Sequence, residues 1–350
     1  SHIQLFGRGD DDFNWQEDTK GFTVVEVDDA ATSGNLNGKR PRYMYATVDT
    51  ATDTLAPSAH EVGKVNPAAV GLQKRALPTH RGRGHHEDNL TSKGQNGKYR
   101  QQRRTARARR QAPSGSIRNL VVMVRFAGHA TRPLPTKEQL EVLFNNNGAD
   151  ATFCPTGSVR DVWSQNSYGQ VNITSTLTGW IDVPQTEYYS ANRLSGKSYV
   201  LHYALTSALQ LADESVDFSQ FDQDGNGYVD MLTFVHSGYA AEHSGTDMYG
   251  ATSMNRIWSH QSTLTDPYIS AEGTTAEAYV TSSSVWGLAQ ANISHVGAFA
   301  HEIGHLFGLP DLYDTVGDLG SGLGSWDLMA NSWGFTGNKM YPRHLSAWCK

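Results

Sequence analysis

The sequence predicts an α/β domain built around a metal-bearing helix and preceded by a small β-rich segment and a basic linker. Three observations predict it. From residue 117 onward, short apolar runs suited to strands alternate with amphipathic helical patterns. Residues 75–116 lose nearly all large apolar side chains and fill with Arg, Gly, Gln, His and Ser, which cannot bury enough surface to fold. Finally, His301-Glu302-Ile303-Gly304-His305 sets two imidazoles four residues apart, about 40° apart around a helix, so that both can face one ion. The resulting divisions are 1–74, 75–116 and 117–350.

The elements follow in chain order. Residues 1–50 carry two β-like runs, Phe22-Thr23-Val24-Val25-Glu26-Val27 and Tyr43-Met44-Tyr45-Ala46-Thr47-Val48, separated by Asp- and Gly-rich turns. Beyond the linker, Leu120-Val121-Val122-Met123-Val124-Arg125-Phe126 suits a central strand. Thr136-Lys137-Glu138-Gln139 has the form of a capping box and opens a helix with Leu140, Leu143 and Phe144 on its core side. Ser158-Val159-Arg160-Asp161 caps another helix, closed by Gly169. Val171 to Leu177 alternates like a half-buried strand, and a long helix is expected from about Ser198 to Ala212, with Leu201, Ala204, Leu205, Ala208 and Leu209 inward. Met231 to Val235 reads as a further strand, and the metal helix comes next.

That helix is expected to bury Val296, Phe299, Ala300, Ile303 and Phe307, with the ligands on a different face. Glu302 is rotated by about 100° from His301 and can lie beside the ion rather than on it. Two neutral nitrogen ligands and a carboxylate base are what a zinc hydrolase needs. Gly308 ends the helix in the left-handed conformation, and the chain then brings Asp311 back as a third ligand. With fourteen His in the chain, HExxH arises by accident in roughly one such chain in thirty to forty. The fixed Gly308 and Asp311 and the helical context make chance a poor explanation.

His301-Glu302-x-x-His305-x-x-Gly308-x-x-Asp311, continued by Leu309-Pro310-Asp311-Leu312-Tyr313-Asp314 and by Gly324-Ser325-Trp326-Asp327-Leu328-Met329, resembles the peptidase M6 family, the immune inhibitor A-like metalloproteases. Ser158-Val159-Arg160-Asp161 running to Asn166-Ser167-Tyr168-Gly169, the run from Asp222 to Asp230, and Pro342-Arg343-His344-Leu345-Ser346-Ala347-Trp348 fit the same family. The likeness covers most of residues 115–350 and, more weakly, residues 1–50. It implies an α/β zincin with a metzincin-like lower half, in which Met329 supplies the hydrophobic turn beneath the metal and Asp311 stands where metzincins carry a third His.

Composition bounds the rest. No run of about 18 apolar residues occurs, so no membrane span is expected. The net charge of −6 points to no particular partner. The chain starts at Ser1 and stops mid-pattern at Lys350, so it reads as a fragment; a secreted protein is expected, and any signal peptide would lie upstream. Cys154 and Cys349 either bridge or lie apart; the sequence leaves both open. In the linker, Arg100, Arg103, Arg104, Arg107, Arg109 and Arg110 form a basic cluster. Polyanion binding is one reading, but Tyr99 is its single aromatic, and no nucleic-acid partner is expected. Arg107-Ala108-Arg109-Arg110 before Gln111 resembles a convertase-type site, so a processing protease is an expected partner.

Asp222, Asp224, Asn226 and Asp230 fall at positions 1, 3, 5 and 9 of a calcium loop, with Gly227 at the turn and the Tyr228 carbonyl between. Thr233 replaces the closing Glu, and a bare polar turn is the alternative. Asn89, Asn172 and Asn292 are glycosylation sequons. Arg8-Gly9-Asp10 is read as a turn. His236, Glu242, His243 and His260 receive no role. The expected function is therefore a secreted, zinc-dependent endopeptidase that hydrolyses protein and peptide substrates by metal-activated water and is made as a zymogen. The alternative is a catalytically silent zinc-containing adhesion or binding module; an intact Glu302 argues against it, since such a module has no use for a base.

Overall fold

The structure, a computed structural model, describes residues 5–9, 14–27, 42–51, 54–78, 114–289, 291–313, 322–330 and 337–349. The chain divides into two units, Ser1–Thr105 and Ala106–Lys350. In the first, β1 (Leu5–Gly9), β2 (Asn14–Asp18), β3 (Thr23–Val27), β4 (Arg42–Asp49) and β5 (Thr54–Glu61) form one antiparallel sheet in sequence order. Phe22, Val24, Tyr45 and Val62 make its small core, and Asp18 accepts the Tyr45 hydroxyl at 3.1 Å. The two expected runs are thus β3 and β4. Arg8 and Gly9 lie in β1 rather than in a turn; Asp10 lies outside the described residues. Arg75, placed in the linker by composition, donates its backbone N–H to Gly21 at 3.0 Å.

In the second unit, β6 (Gly115–Ala127) lies between β7 (Val171–Thr186) and β8 (Met231–Tyr239) and is parallel to both. β8 continues in parallel to β10 (Thr275–Trp286), which pairs antiparallel with β9 (His260–Ile269) and with β11 (Asn292–Ile293). Side chains alternate across this sheet, so β6 feeds two cores. Val121 and Met123 face α1 (Lys137–Asn145), α2 (Val159–Asn166) and α5 (Val296–Leu306). Leu120, Val122, Val124 and Phe126 face α4 (Val200–Ala212), which follows the short α3 (Glu187–Ala191). A strand covered on both sides must be apolar on both, which is why 120–126 reads as an unbroken hydrophobic run.

The local signals act as their chemistry requires. Thr136 and Ser158 close reciprocal capping boxes with Gln139 and Asp161. α4 starts at Val200, two residues after the expected Ser198, and the five expected residues are buried. Two expectations are corrected. β9 and β10 intervene between β8 and the metal helix, which therefore does not follow Val235 directly. And α5 is buried all round from Val296 to His305, the ligand face included, while Phe307, expected on its buried face, is only half-buried and caps its end. Phe144 against Phe299, with ring centroids 4.8 Å apart, and Trp163 edge-on to Phe307 at 4.6 Å seat α5 on α1 and α2. Each such pair contributes about 0.5–1.5 kcal/mol beyond its buried area.

Candidate metal centre

α5 ends in a Schellman motif. Gly308, at φ +86°, donates to the His305 carbonyl at 2.9 Å, and Leu309 donates to the Gly304 carbonyl at 3.1 Å. This turn carries the Leu309 carbonyl back to His305, whose Nδ1 lies 2.8 Å from it. His301 Nδ1 meets the Leu328 carbonyl, also at 2.8 Å. A carbonyl only accepts, so both Nδ1 atoms bear the proton and both Nε2 atoms present lone pairs. The two Nε2 atoms converge on Asp311 Oδ1, at 3.2 Å from His301 and 3.4 Å from His305. All three side chains are buried or nearly so.

Three acceptor atoms facing one another in a buried site require a cation among them. Without one, protons take the place. Burial alone lowers the His301 imidazole, yet the Asp311 hydrogen bond and the Glu302 charge raise it above its ordinary value. Hydrogen bonds from His301 and His305, and their charge, hold Asp311 well below the usual carboxylate range in spite of its burial. Two imidazole nitrogens and one carboxylate oxygen suit a borderline ion such as zinc, so the residues present fit the group that the motif implies.

Glu302 is 4% exposed, and its carboxylate lies within 4.8 Å of the ligand nitrogens of His301 and His305. Two carboxylates thus flank the site, and Asp311 comes nearer. Met329 lies beneath: a Cβ on Gly304 would stand 2.4 Å from its sulfur. Met329 also accepts the Leu312 N–H at 2.8 Å, tying the Asp311 loop to the turn below. Buried Asp327 holds that turn by accepting the backbone N–H groups of Met329 and Ser346 at 2.6 and 2.5 Å. Gly304, Asp327 and the carbonyls of Leu309 and Leu328 escape motif reading. The signal available for the first was a glycine inside a helical pattern.

The remaining expected sites stand apart from this centre. In the 222–230 loop, Asp222 accepts the N–H groups of Asn226 and Gly227, Asp224 accepts that of Asn226, and Asp230 accepts that of Gln223. Gly227 takes φ +84°, and the Tyr228 side chain is exposed. Asn292 is exposed, whereas half-buried Asn172 accepts the Arg160 side chain at 3.0 Å. Cys154 and Cys349 are free thiols bordering the same core. Asn89, Arg107, Arg109 and Arg110 lie outside the described residues. No helix among those residues is long and apolar enough to cross a membrane.

The family model described as "Immune inhibitor A peptidase M6, catalytic domain" matches residues 137–350. An "Immune inhibitor A" of Bacillus thuringiensis subsp. alesti is 30% identical over 202 residues, covering 49% of this chain and 28% of its own length. A "Pre-pro-metalloprotease PrtV" of Vibrio cholerae serotype O1 is 24% identical over 253 residues, covering 61% of this chain and 27% of its own length. The chain therefore spans little more than a quarter of these relatives.

Proposed function

Because this chain belongs to the immune inhibitor A peptidase M6 family, we propose that it is a zinc-dependent endopeptidase, secreted and made as a zymogen, with a zincin-type catalytic domain at 117–350. The observation that carries the reading is the convergence of His301 Nε2, His305 Nε2 and Asp311 Oδ1, with Glu302 beside them. These three atoms would hold the ion. Zinc held there would lower the pKa of a water towards about 7 and would polarise the scissile carbonyl. Glu302 takes the proton of the attacking water and passes a proton to the leaving amine. Met329, packed under Gly304, keeps the floor of the site apolar and fixes the height of the helix.

Secretion and latency rest on sequence: the convertase-type run at Arg107, Arg109 and Arg110, and a relative whose name includes "Pre-pro". On this reading 1–74 is a pro-segment, 75–116 the linker in which a processing protease cuts, and Asn292, together with Asn89 and Asn172, accepts glycan. The loop from Asp222 through Asp224, Asn226 and Tyr228 to Asp230 is assigned to a structural calcium on its ligand spacing and its Gly227 turn. The functional test is cleavage of a casein-type substrate, lost with a chelator and restored by zinc. Glu302→Gln should keep stoichiometric zinc and lose about 10²–10⁴ in kcat, the usual contribution of a general base. A variant that cleaves at the parent's rate would refute the mechanism.

A further inference from the structure

The start of α5 has no side-chain cap: His295, at the N-cap, makes no such bond. The first-turn amides of a helix need partners from elsewhere. Here Gly297 donates its N–H to the Lys339 carbonyl at 2.9 Å, and the His295 ring is held by the Asn338 carbonyl and stacked on Trp286 at 4.1 Å. Lys339 occupies the left-handed region at φ +57°, an uncommon conformation for a residue with a side chain. Its ammonium is buried and lies 3.3 Å from Glu242, whose side chain is 8% exposed. Glu242 in turn accepts the Ser259 hydroxyl at 2.7 Å and its N–H at 3.2 Å, and Ser259 meets Ser282 of β10 at 2.8 Å. A chain of polar contacts thus runs from the sheet through Glu242 and Lys339 to the first turn of the metal helix.

Stability alone does not account for this choice of residues. A cation beside a helix N-terminus opposes the helix dipole, and a buried ion pair gains little over a well-packed apolar pair. What the pair supplies is direction. We propose that the Glu242–Lys339 ion pair is a positioning device that fixes the N-terminal end of the metal helix against the sheet, and so sets where Glu302 stands relative to the ion. The C-terminal end of α5 is already fixed by its Schellman motif and by Met329 under Gly304. Movement left to the helix is therefore a tilt about that end. Glu302 stands two residues before Gly304, about 3 Å along the axis from that fixed end, so a tilt displaces its carboxylate less than the helix start but turns it relative to the ion. Burial would raise the Glu242 carboxyl, but Lys339, His243 and Ser259 together bring it down to about 2, so Glu242 is ionised in the working enzyme.

The inference rests on the metallopeptidase reading above, and its test separates the two. Glu242→Gln and Lys339→Met each strand a buried charge and lower the melting temperature. The double variant Glu242→Gln/Lys339→Met strands none and recovers most of it. In that double variant we expect full zinc content, an unchanged KM for a peptide substrate, a kcat reduced about tenfold, and shifted visible d–d bands when the protein is loaded with Co²⁺. Parental kcat together with the parental cobalt spectrum overturns the proposal. So does a fall in kcat that only follows lost metal or lost melting temperature. If the parent cleaves no peptide, the metallopeptidase reading fails, while the cobalt spectra still decide whether the pair sets the geometry of the site.

Discussion

Two backbone carbonyls, those of Leu309 and Leu328, decide what the two helix histidines can do. By taking both Nδ1 protons they leave both Nε2 lone pairs for the ion, and no side-chain motif could announce them. The ligand choice that follows is open to measurement. Asp311→Ala should weaken zinc binding by orders of magnitude, while Asp314→Ala, at a position outside the described residues, should keep stoichiometric zinc. Mass spectrometry of both purified proteins decides, and the reverse result would mean that the wrong carboxylate has been assigned. A second carboxylate titrates for a different reason. Glu187 starts α3 wedged against Gly238, where a Cβ would lie 1.8 Å from its Oε1, with His129 and Arg132 at 3.5 and 3.7 Å. Burial pushes its carboxyl up from 4.5 to about 8. The folded chain then keeps a proton that the unfolded chain releases near 4.5. This group's contribution is accordingly most favourable below that value, and it is lost as pH rises to about 8. Glu187→Gln removes the titration. Its stability relative to the parent should climb with pH by up to about 1.4 kcal/mol per unit across that window. A difference that stays flat would show Glu187 to be ionised in the fold.

At the scale of elements, α5 is held from below as much as from its ends. Gly304→Ala puts a methyl group 2.4 Å from the Met329 sulfur, and such overpacking costs about 1–3 kcal/mol. Denaturant unfolding should show that loss, with zinc affinity falling as the helix lifts; unchanged stability would mean that the methionine yields freely. The helices were largely legible in the sequence because their signals are local: Thr136 with Gln139, Ser158 with Asp161, and the apolar spacing of α4 and α5. β10 was not. Thr281, Ser282, Ser283 and Ser284 look like a polar loop, yet all four are buried, with Ser282 bonded to Ser259 and Ser283 to the Gly238 carbonyl. β5 is hidden in the same way by Pro57 and its Ala and Ser neighbours. The Glu242–Lys339 pair was equally invisible, since 97 residues separate its members.

Across the whole molecule, the boundary between the two units falls within the Arg-rich run. If that run is where a zymogen is opened, secreted active protein should begin at Gln111 on N-terminal sequencing. Arg110→Ala should leave a longer and less active form, and full activity in that form would remove the zymogen reading. The two-sided burial of β6 has a consequence for the making of the protein. Asn119 accepts the hydroxyl of Thr233 from 114 residues downstream, and the apolar stretch beside it has no sheet partner on that side until β8 exists. At a synthesis rate of about 5–20 residues per second, that wait lasts roughly 6–23 s. A sticky strand is thus born early and covered late. The charged run just ahead of it in sequence has the composition of gatekeeper residues, which disfavour association of nascent chains through an uncovered apolar strand.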